Sequence, residues 1–117
     1  MPRQDNESDL ARLRQMLDFA QKAVAFNKKR SRADLDSDEM LAMATVHLIE
    51  LVGEASRTVS EGFQERYSAV PWRTVIGTRN RFVHGYVDVD LDIIWTIVQK
   101  DLPVLIRNIK KILNAEK

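Results

Sequence analysis

The sequence predicts an all-α protein, a four-helix bundle of up-down helices with short connections. Three observations predict it. Apolar residues recur every three or four positions through each long segment. No stretch alternates apolar and polar residues over a useful strand length. The breaks between periodic segments are short and carry capping residues or proline.

The first helix is expected over residues 8–26, with Leu10, Leu13, Leu17, Ala20 and Val24 at helical spacing. Residues 27–35 read as a polar linker holding Lys28, Lys29, Arg30 and Arg32, a solvated loop or a phosphate contact. Asp36 with Glu39 has the spacing of a capping box opening the second helix. That helix runs to about Val59 on a face of Met40, Ala44, Leu48, Leu51, Ala55 and Val59. Residues 60–70 form a connector with a short helical turn around 63–67. Pro71 suits the first turn of the third helix, which is expected to end near Gly85 and Tyr86.

Asp88 or Asp90 can cap the fourth helix, over residues 91–113 through Ile94, Val98, Leu102, Leu105, Ile109 and Ile112. Pro103 lies inside it and should kink it or remove a backbone bond. This helix is apolar over more than one stripe, adding Ile93, Trp95, Ile97, Ile106 and Leu113. Burial against a second copy of the chain is the simplest explanation, a central buried helix the alternative.

At 117 residues the chain is read as one domain spanning 1–117, with its core over about 9–113. Eighteen basic against seventeen acidic residues exclude a global basic field, so any nucleic-acid contact must come from local patches. The absence of cysteine excludes a disulfide framework, a thiolate metal site and a cysteine nucleophile. The polar N-terminus lacks a signal-peptide core, and no stretch approaches the roughly 18 apolar residues of a membrane span. A soluble cytoplasmic protein is expected.

His47 and Glu54 share a face of the second helix with Leu51. His47 is expected to edge the core as a neutral imidazole. Glu54 is expected to support Arg79 as its internal carboxylate partner. Two distant histidines without an acidic cluster make no metal site, and no P-loop, dinucleotide fingerprint or Ser-His-Asp pattern is present. No metal and no cofactor are expected.

The most informative segment is Arg79-Asn80-Arg81-Phe82-Val83-His84-Gly85-Tyr86. From Trp72 the apolar positions Val75, Ile76, Phe82 and Val83 fit one stripe, on which Arg79 and Tyr86 also fall. A guanidinium in an apolar face is costly unless paired or held at an interface that uses it. His84 follows Asn80 by four residues, which makes them neighbours on the adjoining flank. Arg73 and Arg81 lie on the polar side nearby, the better placed candidates for phosphate contact if the chain binds a nucleic acid. One reading buries Arg79 against a carboxylate, with His84 capping and Tyr86 in the core. The other has Arg79 and His84 acting together on an anionic substrate. Spacing does not separate them.

Arg, four residues, then His is the signature of the HEPN ribonucleases, and Tyr86 two residues later resembles the HepT toxins of HepT–MntA toxin–antitoxin pairs. The likeness includes residues 49–55 (IELVGEA), 70–73 (VPWR), 76–77 (IG), 88–95 (DVDLDIIW) and 101–103 (DLP), and so covers nearly the whole chain. It implies a HEPN-type bundle and a metal-independent endoribonuclease whose two protomers join their helices into one composite cleft. It also implies inhibition by AMP transfer to Tyr86 from a partner MntA-like minimal nucleotidyltransferase.

The residue chemistry agrees with that expectation. RNA carries its own nucleophile, the 2′-hydroxyl, so cleavage needs orientation, proton transfer and charge stabilisation rather than a metal. Arg79 can hold the scissile phosphate, His84 can move protons near neutral pH, and Asn80 can orient either. The alternative function is a non-catalytic helical module that binds the nucleotidyltransferase.

Overall fold

Along the first helix, α1 (Pro2–Phe26), and into the turn beyond it, the buried residues are Asp9, Leu13, Met16, Ala20, Ala23 and Asn27. Their steps of four and three make a continuous seam one flank away from the expected stripe; Leu10, Leu17 and Val24 pack at its edge. The computed structural model describes residues 2–78 and 89–116, with the side chains of 2–5 and 78 outside the description. Both polar ends of the seam make buried hydrogen bonds, although the Asn27 side-chain oxygen has no partner among the described residues. Asp9 accepts from Ser60, and the Asn27 amide donates to the Ala23 carbonyl at 2.8 Å and the Thr45 hydroxyl at 3.0 Å.

The second half of the expected linker is instead a helix, α2 (Arg32–Ser37), whose Leu35 is fully buried. It begins where the Ser31 N–H donates to the Asp34 carboxylate at 2.7 Å. The expected Asp36–Glu39 capping box does not form. Asp38 caps the next helix instead, accepting from the Leu41 N–H at 3.1 Å, while Asp36 pairs with Arg32.

That helix, α3 (Glu39–Arg57), is the centre of the fold. It buries Leu41, Thr45, Val46, Ile49, Val52 and Ser56 among others, a face wide enough to meet α1 on one side and the fifth helix on the other. Two expectations for its side chains are corrected, one on the stripe and one beside it. Met40 is 83% exposed, and His47 faces solvent instead of edging the core. Both lie on the flank opposite Ile49 and Val52 and are exposed to solvent.

Past a short turn, α4 (Glu61–Arg66) sets Phe63 into the core, with the Ser60 hydroxyl accepting from its N–H. α5 (Trp72–Thr78) follows Pro71. The last helix runs as α6 (Leu91–Thr96), a π-helical turn (Ile97–Asp101) and α7 (Leu102–Ala115). The π turn is how the chain accommodates Pro103. The Leu102 N–H reaches back five residues to the Ile97 carbonyl, and α7 starts with proline in its first turn, where no donor is needed.

Side-chain ties at the helix ends give the directions. Asp9 to Ser60 and Asn27 to Thr45 make α1 and α3 antiparallel. Asn6 to Glu116 makes α1 and α7 antiparallel as well. Arg32 to Asp92 puts the start of α6 at the end of the bundle where α3 begins. The chain is therefore all-α, an up-down helical bundle, with helices throughout the described residues other than turns and connections.

Candidate active site

Residues 79–88 connect α5 to α6, so Arg79, Asn80, Arg81, His84 and Tyr86 lie outside the described residues. What the structure describes is the frame that holds that connection. Trp72 anchors its first side. The indole is 6% exposed and its N–H donates to the Tyr67 carbonyl at 3.0 Å, while the Val75 N–H donates to the Pro71 carbonyl. With Trp72 in the core, Val75 and Ile76 pack at its margin and Arg73 points to solvent, on the polar side as expected.

The other side is anchored through Asp90 and Asp92. Asp90 caps α6 by accepting from the Asp92 N–H at 2.9 Å. Asp92 then accepts from Nε of Arg32 at 2.7 Å, across 60 residues of sequence. This hydrogen bond, ahead of the Asp36 carboxylate, holds the Arg32 guanidinium above its already high range, with burial opposing. Arg32 and Asp36 are i,i+4 neighbours, the only part of this tie that sequence spacing could have signalled.

Between the two anchors lies a groove of about 790 Å³. Val52 of α3 forms part of its floor, Arg73 and Val75 of α5 one wall, and Ile93 and Ile97 the other. Its lip is apolar as well, with Ile93 37% and Val104 45% exposed. Glu54 sits one turn beyond Glu50 on α3 and forms an ion pair with Arg57 at 2.6 Å. Its expected partner, Arg79, is outside the described residues, so that pairing is neither met nor opposed. Among the described residues no group of three or more His, Cys, Asp or Glu could hold a metal ion.

Residues 11–112, which include both anchors and the whole connection between them, match the family model described as Ribonuclease HepT-like. The chain belongs to the HepT-like ribonuclease family.

Among similar proteins, "Putative RNase MJ1380" of Methanocaldococcus jannaschii is 30% identical over 81% of this chain and 87% of its own length. "Putative RNase TTE0752" of Caldanaerobacter subterraneus is 37% identical over 72% of this chain and 75% of the relative. "Probable ribonuclease HepT" of Thermococcus cleftensis is 29% identical over 68% and 73%. No solved structure gives a significant match. Among the described residues no helix is long and apolar enough to cross a membrane.

Proposed function

We propose that this HepT-like ribonuclease is the toxin of a toxin–antitoxin pair, an endoribonuclease that cleaves RNA without a metal. The observation that carries this reading is the Arg79-x4-His84-x-Tyr86 string inside the family-matched span. His84 takes the proton of the 2′-hydroxyl, whose oxygen attacks the adjacent phosphorus. The bond to the 5′-oxygen breaks, and an imidazolium returns a proton to that leaving oxygen. Arg79 neutralises the charge that builds on the phosphorane, and Asn80 orients the phosphate or the imidazole. The products are a 2′,3′-cyclic phosphate and a 5′-hydroxyl. Arg73 and Arg81 hold flanking phosphates, and Glu54 supports the Arg79 guanidinium from α3.

Two copies complete the site. The apolar groove and its exposed Ile93 and Val104 support burial against a second protomer, which would bring the two copies' Arg79–His84 pairs together. Regulation comes through Tyr86. A minimal nucleotidyltransferase partner directs the tyrosine oxygen onto the α-phosphorus of ATP, and pyrophosphate leaves. The tyrosyl adenylate places bulk and negative charge beside Arg79, where substrate phosphate would sit.

The test is incubation of unmodified protein with RNA in EDTA. Cleavage is expected, with a cyclic phosphate terminus, and a fall of at least about 10²-fold in Arg79→Ala and in His84→Ala. A metal requirement, or full activity in either variant, overturns the mechanism. Intact RNA together with retained nucleotidyltransferase binding would favour the non-catalytic module.

A further inference from the structure

We propose that Phe26, Lys28 and Lys29 form a ledge that binds single-stranded RNA next to the cleavage site, with two cations for phosphates and one ring for a base. This rests on the ribonuclease reading and extends its substrate site beyond the motif.

The first argument is electrostatic. The turn after α1 and the helix α2 carry Lys28, Lys29, Arg30 and Arg32 against Asp34, Asp36 and Asp38, so the region looks almost neutral in sequence. Its charges are not evenly used. Arg30 pairs with Asp38, and Arg32 with both Asp36 at 3.1 Å and Asp92 at 2.7 Å. Asp34 is engaged by the Ser31 N–H. The carboxylates are thus taken up by the two arginines and the helix start. Lys28 and Lys29 remain exposed and form no ion pair among the described residues. The next carboxylate, Glu39, begins α3 and is exposed as well.

The second argument is the aromatic. Phe26, the last residue of α1, is 48% exposed, two positions before Lys28. An exposed ring next to unpaired cations is the combination that holds single strands, because every base has a face to stack and every nucleotide a phosphate.

The third is position. Antiparallel packing puts this turn at the end of the bundle where α3 and α6 begin, and the Arg32–Asp92 contact joins α2 to the first turn of α6. The connection bearing the proposed catalytic residues enters α6 at that end. A strand running across the start of α6 would pass α2, and the ledge lies in the turn that leads into α2. The substrate class is then single-stranded RNA of several nucleotides, read without sequence preference on this side.

The test is fluorescence anisotropy with a 2′-O-methyl RNA of about twelve nucleotides, within the usual site sizes for such surfaces. Affinity is measured across a salt series. Lys28→Gln/Lys29→Gln is expected to flatten the dependence of log affinity on log salt by about 1.4, two phosphates at about 0.7 each. Phe26→Ala should raise Kd about fivefold or more, and Phe26→Trp should recover the loss. In cleavage assays these losses are expected in KM. Lys22→Gln, which removes a cation already paired with Asp18, is the control and should keep the parent slope. A parent that binds and cleaves RNA, with slope and Kd unchanged in the ledge variants, overturns the ledge alone. So does loss of a protein partner in place of RNA. A parent that neither binds nor cleaves RNA overturns the ribonuclease reading with it.

Discussion

The carboxylate of Asp9 on α1 accepts both the backbone N–H of Ser60, at 2.8 Å, and its hydroxyl, at 2.7 Å. Asp9 is 4% exposed, so both bonds are made largely away from water. They fix the start of α1 to the point where α3 gives way to α4. Asp9→Ala should destabilise the protein by about 1.5–3 kcal/mol, the range for hydrogen bonds to a charged group. Urea unfolding of the variant measures it, and an unchanged midpoint would show the contact to be incidental.

Tyr67 should ionise late. Its hydroxyl donates to the Glu116 carboxylate, and that bond, then burial, then the carboxylate charge raise its pKa above 10, with Arg66 opposing. A raised folded-state value means the stability it contributes is complete below the unfolded pKa near 10 and is lost as pH rises through the folded one. With only two tyrosines in the chain, Tyr86→Phe leaves Tyr67 as the sole phenol. Ultraviolet titration of that variant should show ionisation above pH 10, and Glu116→Ala should bring it back towards 10.

The groove predicts association. The unmodified protein should sediment as two chains at micromolar concentration. Ile93→Asp, at the exposed lip, should shift it towards one chain and lower cleavage in parallel. A monomer with full activity would remove the composite site.

Tyr86→Phe should keep cleavage and escape neutralisation by the nucleotidyltransferase with ATP. Intact-mass measurement of the parent should show gains of about 329 Da per transferred AMP, and peptide mapping should put them on Tyr86. Adenylate found elsewhere, with Tyr86 bare, would detach this residue from regulation.

Helical periodicity made the bundle and its principal helices legible, because Leu13, Val98, Leu105 and Ile109 recur where buried faces demand. It misplaced faces by one flank wherever a polar residue occupies the seam. Asp9, Asn27 and Thr45 belong inside only because each finds a partner far along the chain, and spacing carries no such information. Met40 shows the converse, a large apolar residue left outside at the first turn of α3. The motif itself was legible as a string, as were the Pro71 start of α5 and the Asp90 cap of α6, whereas the tie between α2 and α6 was not. The Arg32–Asp92 bond spans 60 residues, and α2 is too short for periodicity to reveal.

The π turn before Pro103 has a consequence for how this chain tolerates change in length. A bond spanning five residues encloses one residue more than the α pattern requires, and Gln99 and Lys100 within it are exposed. Ile94 lies before the turn, Val98 within it, and Leu105 and Ile109 after it, all on the buried side. Losing one residue from the turn would swing every later side chain by about 100° if α7 simply continued the α pattern. Closing the turn to that pattern, however, leaves Pro103 facing a carbonyl it cannot serve. The extra residue therefore works as a spacer bound to its proline. A homologue that lacks one should lack the other, and a chain shortened here should recover its fold only when Pro103 is replaced as well.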